Sequence, residues 1–182
     1  AYDYASALDQ TERSFWGFCD NYIELVKARR YGDHGETGSA SANAALLIAL
    51  SIYLRLFAPF LPFVTEEVWS WWKKGSIHCA SWPSVDETKS SDGRESDRVV
   101  FREARELLAE IRRIKSLRGW KNKTPINVIV EGEETRLSTL RSSEKDIQAA
   151  VSALSIVFKT AENFTVTINM ADLSTTSTGS SV

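Results

Sequence analysis

The segment RRIKSLRGWKNK, residues 112–123, gathers Arg112, Arg113, Lys115, Arg118, Lys121 and Lys123 around one indole, Trp120, with no acid among them. Cations attract phosphate and an aromatic face stacks on a base, so the composition suits contact with a nucleic-acid backbone and an unstacked base. Composition serves a second reading equally well: a solvated helix end whose cations complement the helix dipole, with Trp120 packed on its own domain. Lys27, Arg29 and Arg30 form a smaller cluster just before Gly32 and admit the same two readings.

Other chemistry-bearing types are sparse. His34 and His78 lie far apart, and His78 adjoins Cys79 with no second pair to complete four ligands, so no metal site is expected. Glu66 and Glu67 are adjacent, which on a helix turns their side chains about 100° apart, and the start of a helix explains them without catalysis. Asp20 and Glu24 share a helical face and suit an ion pair or hydrogen bond to a neighbouring helix. No nucleophile elbow, phosphate loop or dinucleotide-binding glycine motif occurs. No catalytic residue is therefore assigned.

The whole chain of 182 residues is 43% apolar and 25% charged with a net charge of −2, values of an ordinary globular protein rather than a uniformly basic one. Any nucleic-acid partner then depends on local patches. Two cysteines in apolar surroundings and the lack of a leader pattern point to a reduced, cytoplasmic setting. The run LRLFAPFLPFVTEEVWSWW, residues 54–72, is apolar enough to raise a membrane span, but Arg55, Pro59, Pro62, Glu66 and Glu67 interrupt it, so no membrane is expected.

These segments need elements to hold them. Leu8, Phe15, Phe18, Cys19, Tyr22, Ile23 and Val26 recur at helical steps, which predicts a helix from Tyr2 to about Arg30, with Trp16 and Phe18 on or near the core side. SASANAALLIALSIYLRLF predicts a second, strongly buried helix capped by Ser39 or Ser41. Pro59 and Pro62 then make a corner, and a third helix starts at Thr65 with Glu66 and Glu67 in its first turn. Leu54, Leu56, Phe57, Phe60, Leu61, Phe63, Val68 and Trp69 are expected to fill the core. Residues 83–97 have almost no apolar side chains and read as a flexible linker.

Beyond it, Phe101, Ala104, Leu107, Leu108, Ile111 and Ile114 mark a long helix from Val99 to about Leu117. Ile126, Val128 and Val130 alternate as one face of a strand, SEKDIQAAVSAL reads as a short helix, and ALSIVFKT and NFTVTINM read as a hairpin turning at Ala161, Glu162 and Asn163. The expected class is mainly α: a helical bundle over 1–82, the linker 83–97, a small α/β subdomain with about three strands over 98–173, and a disordered tail over 174–182.

FWGFCDNYIELVKARR at 15–30 resembles a helix of the class I aminoacyl-tRNA synthetases for valine, isoleucine and leucine, where it belongs to the anticodon-binding bundle. The run at 54–72 and GSIHCASWP at 75–83 are similar to later parts of that bundle, and EIRRIKSLRGWKNKTPINVIVEG looks most like the valyl branch, with the isoleucyl branch as the alternative. The resemblance implies that the chain is the tRNA-binding, anticodon-recognising region of a parent valine–tRNA ligase, whose catalysis uses ATP and magnesium elsewhere. It implies valine tRNA as partner, together with the parent chain's catalytic and editing domains, and a monomer. No cofactor is expected in this region itself. Neither an H-x-G-H nor a K-M-S-K-S type string occurs, so the expectation is an excised C-terminal piece with the first bundle helix upstream of Ala1. Lys27, Arg29, Arg30, Arg112, Arg113, Lys115, Arg118, Trp120, Lys121 and Lys123 become its candidate tRNA contacts. A helical protein-interaction module without an RNA partner is the alternative from another functional class.

Overall fold

A computed structural model describes residues 3–88 and 95–171. The expected tail over 174–182 lies outside the described residues, as does the middle of the expected linker. The chain divides into two compact units, Ala1–Gly93 and Arg94–Val182.

The first unit is helical. α1 (Tyr4–Gly17) runs through a π-helical turn (Phe18–Ile23) into α2 (Glu24–Arg30), so the predicted first helix exists but carries an inserted turn. The side chain of Asn21 donates to the Gly17 carbonyl at 3.0 Å across that irregular ladder. Phe15 meets Tyr53 and Phe57 edge-on, each with ring centroids 5.4 Å apart, and Phe18 stacks on Tyr22. Trp16, one residue and about 100° further round, points away and is 59% exposed, against the expected core placement.

α3 (Gly35–Phe57) begins four residues earlier than Ser39, behind His34 rather than a serine cap. It is not strongly buried: within it only Ala42 and Arg55 are buried, while Leu47, Ile48 and Leu50 are exposed. Apolar composition reports how much a helix is able to bury, not what is present to cover it. By length and hydropathy alone this helix is long and apolar enough to cross a bilayer, a property that core helices share.

α4 (Pro62–Ser70) also starts earlier than expected, because Pro62 takes the first helical turn, where its missing N–H is no loss. Thr65 therefore lies inside the helix, buried, with its hydroxyl donating to the Leu61 carbonyl at 2.8 Å. Glu66 and Glu67 fall a turn too late to serve the dipole. Glu66 instead accepts from Ser76 Oγ and the Ile77 amide at 3.0 and 2.8 Å, tying down a 3-10 turn (Ile77–Cys79). Trp69 fills a small core with Ala58 and Ile77 as predicted, but Phe63 is 90% exposed and Leu61 half exposed.

The expected linker departs from a solvated strand of chain at its start. Val85–Thr88 forms a 3-10 turn, and Glu87 pairs with the buried Arg55 guanidinium, which also donates to the Ser81 carbonyl at 3.1 Å. A cation buried in an apolar helix needs acceptors, and residues 81–87 supply them.

In the second unit α5 (Glu95–Leu117) is the predicted long helix, begun four residues before Val99, and Ala104, Leu107, Leu108 and Ile111 are buried along it. β1 (Ile126–Gly132) follows, then two short helices rather than one, α6 (Glu134–Arg141) and α7 (Glu144–Val151), then β2 (Ala153–Thr160) and β3 (Thr165–Met170). The predicted β2–β3 hairpin is not formed. β1 is the central strand, parallel to β2 and antiparallel to β3. Ile126, Val128 and Val130 are each fully buried on the face of β1 predicted from their alternation, and a central position rewards that burial from both flanks. The connection from β2 to β3 passes the end of β1 at Gly132, where an added Cβ would sit 3.0 Å from the Phe164 ring.

Candidate nucleic-acid interface

The two cationic clusters occupy equivalent local structures. In α2 the buried Leu25, Val26 and Ala28 leave Lys27 and Arg30 facing solvent and Arg29 half-buried. The helix closes on a left-handed glycine: Gly32 has φ +97°, its amide donates to the Arg29 carbonyl at 3.0 Å, and the Asp33 amide reaches back to Ala28 at 3.1 Å. Lys27 lies 3.4 Å from Glu24, a surface pair of little energetic consequence. That contact uses Glu24 within its own helix, where the sequence suggested a neighbouring one.

α5 ends the same way. Gly119 has φ +67°, its amide donates to Ser116 at 3.0 Å, and the Trp120 amide donates to the Lys115 carbonyl at 2.9 Å. Both caps follow from sequence, since an L residue pays a steric penalty where glycine pays none. Arg113 grips Glu110 through two bonds of 2.9 and 2.7 Å, which lowers the Glu110 carboxyl below its ordinary value and raises the guanidinium. Arg112 is half-buried. Arg118 donates to the Ile168 carbonyl on β3 and lies over the Trp120 ring, 5.0 Å from its centroid. One face of that indole is thereby covered, and the ring itself is only partly exposed.

Lys115 leaves the set of phosphate candidates. It is 1% exposed, and its Nζ donates to the carbonyls of Asn122, Thr124 and Val151 at 2.7, 2.8 and 2.6 Å. Burial pushes its pKa down, but three carbonyl acceptors favour the charged form. The reason is helical phase: Lys115 is four residues after Ile111 and shares its buried stripe, so its stem runs into the core and its ammonium is captured inside. Lys121 and Lys123, by contrast, are exposed and make no ion pair among the described residues.

The structure thus brings Arg112, Arg113, Arg118, Trp120, Lys121 and Lys123 to one end of α5, and Lys27, Arg29 and Arg30 to the end of α2. Sequence reasoning assigned Trp16 to packing, whereas it lies exposed beside the π turn with one edge-on contact to Phe15; Phe15, which takes the packing role, was the available signal. Glu67 holds the Trp71 indole at 3.1 Å, and His78 and Cys79 are exposed on their turn. Among the described residues no group of three or more His, Cys, Asp or Glu is placed to hold a metal. A cleft of about 350 Å³ against α5 and α6 is lined in part by Glu103, Glu106 and Arg136, and Arg136 pairs with both glutamates.

Residues 1–130 match the family model described as the anticodon-binding domain of tRNA ligase. Curated relatives include the valine–tRNA ligase of Thermobifida fusca, 46% identical over 89% of this chain, that of Cutibacterium acnes, 41% over 87%, and that of Leifsonia xyli, 44% over 82%. Each of these three is a valyl enzyme, not an isoleucyl one. The chain spans 18% of the length of the first two and 17% of the third.

Proposed function

The chain belongs to the family of anticodon-binding domains of tRNA ligases, and from that premise we propose that it is the tRNA-gripping region of a valine–tRNA ligase. In this reading it holds the anticodon stem-loop of valine tRNA, while the parent enzyme joins valine to that tRNA with ATP and magnesium at a site outside this region. Identity is checked at a distance from the chemistry, so the contribution here is binding energy rather than bond making. The observation that carries it is the pairing of the family match with two cationic clusters at and just past capped helix ends: Lys27 and Arg30 exposed beside the half-buried Arg29, and Arg113, Arg118, Lys121 and Lys123 exposed beside the half-buried Arg112. Rigid helix ends present their cations with little ordering left to do on binding.

Fluorescence anisotropy with labelled valine tRNA, repeated with an anticodon-altered tRNA and over a salt series, tests the proposal. The expected result is tighter binding to the unaltered tRNA and a log–log salt dependence with a steep negative slope. Equal affinity for both tRNAs removes anticodon reading. A flat salt response removes phosphate contact and favours a protein-interaction module, for which the exposed Leu47, Ile48 and Phe63 supply apolar surface.

A further inference from the structure

We propose that Lys115 is the positioning residue of a preformed phosphate-binding loop, residues 118–124, which it organises from inside the fold without touching the phosphate. The inference rests on the tRNA-binding reading above and assigns a specific device to it.

The loop leaves α5 through the left-handed Gly119 and returns to β1 at Ile126. At its ends the interval is held by backbone bonds: the Arg118, Gly119 and Trp120 amides donate to α5, and the Pro125 carbonyl accepts from the Ala171 amide. Between Trp120 and Pro125 the one backbone bond among the described residues is Thr124 amide to Lys121 carbonyl at 2.9 Å. Lys115 holds the carbonyls of that middle stretch. Its ammonium takes the Asn122 and Thr124 carbonyls and anchors both to the Val151 carbonyl at the end of α7. The loop is thus tied by one side chain to the helix before it and to a helix distant in sequence.

The clamp has a directional consequence. Every peptide in the described chain is trans, and across a trans peptide the C=O and the N–H point in opposite directions. With the Asn122 carbonyl turned inward on Lys115, the Lys123 amide points the opposite way, away from the ammonium, in a stretch where Lys121 and Lys123 are both exposed. A main-chain N–H in a loop that also carries two exposed lysines offers a donor and two cations to phosphate oxygens. Arg118, fixed between Ile168 and the Trp120 ring, borders it. The buried charge thus acts twice over: it satisfies three carbonyls that would otherwise face the interior, and through the Asn122 carbonyl it turns one donor, the Lys123 amide, away from itself.

Salt-dependent binding distinguishes a phosphate ligand from a residue that holds the ligands in place, because each lost phosphate contact lowers the salt slope by about 1 while lost preorganisation leaves it alone. The measurement is anisotropy with the valine tRNA anticodon stem-loop on the full chain, for Lys115→Met, Gly119→Ala and the double variant Lys121→Ala/Lys123→Ala. Gly119→Ala retains every charge and strains only the loop entry, so it tests the idea should Lys115→Met fail to fold. Lys115→Met and Gly119→Ala are expected to weaken binding about tenfold with an unchanged slope, and to speed hydrogen exchange at the Trp120 and Thr124 amides. The double variant is expected to reduce the slope by about 2. A slope reduced by about 1 in Lys115→Met with loop amides still protected makes Lys115 a ligand and overturns the proposal. Unchanged affinity alongside fast loop exchange overturns it too, since order in the loop is then irrelevant. Absence of salt-dependent binding by the unaltered chain defeats the tRNA reading itself, while the exchange data still report whether Lys115 orders the loop.

Discussion

The cap at the end of α7 is the position where this sequence departs furthest from its own backbone, and correcting it has a calculable effect. Ser152 has φ 56° and ψ 41°, the left-handed region, and it is the one non-glycine residue with positive φ among the described residues. The geometry is imposed by topology: α7 ends at Val151 and β2 begins at Ala153, so a single residue must reverse the chain. Its amide closes the helix on Ala149 and Gln148, and its carbonyl accepts from Ile126 at 3.2 Å. None of those bonds involves the side chain, so Ser152→Gly leaves them intact. An L residue here costs about 1–2 kcal/mol, while glycine adds unfolded-state entropy worth about 0.4–1 kcal/mol. The difference stabilises Ser152→Gly by about 0.5–1 kcal/mol. With a urea dependence of about 1–2 kcal/mol per molar for a small unit, the unfolding midpoint followed by circular dichroism rises by about 0.5 M. The reciprocal change, Gly119→Ser at φ +67°, should lower the midpoint by a similar amount. A lower midpoint for Ser152→Gly refutes the reasoning, because it means that the hydroxyl, or a different backbone, stabilises the cap.

Three further outcomes follow from the same geometry. Leu107→Ala, at a fully buried site of α5, should cost about 2–5 kcal/mol, whereas Leu117→Ala on the same helix, 73% exposed, should change stability by less than about 0.5 kcal/mol; equal effects in urea titration contradict the stripe. Arg55 holds the Glu87 carboxyl at a pKa of about 2, below its usual 4.5, so the stabilising contribution is complete above about pH 4.5 and is lost as pH falls toward 2. Acid titration with the fluorescence of tryptophans near residues 81–87 as readout should show that loss, and Glu87→Gln should remove the step. In native-state hydrogen exchange, successive amides of β1 should all be protected, because alternate residues bond to β2 and to β3, while protection alternates in β3; protection restricted to every second amide of β1 places it at an edge instead.

How far the sequence carried the structure depends on whether a residue's fate was decided locally. The stripe of α5, the alternation of β1 and the glycine that ends α2 are local patterns, and each appears where its period or punctuation placed it; Gly119 ends α5 in the same way but was not read as a stop. The order of strands is not local: β2 and β3 read as a hairpin because a short polar link joins them, but both find better burial flanking β1, and pattern alone does not compare those pairings. The bulk of α3 was legible as apolar and its exposure was not, since coverage depends on what packs against it. Lys115 joins the two cases. Its charge placed it with the phosphate candidates, but its register placed it with Ile111, and the helical period was the stronger signal because a side chain follows its Cβ direction before it follows its charge. The same criterion retains Lys121 and Lys123, which lie beyond the glycine cap, outside any helical register, and are exposed. A cationic cluster that ends a helix is thus sorted by register first: residues in phase with the core stripe hold the loop in shape, and residues past the cap are left to meet the ligand.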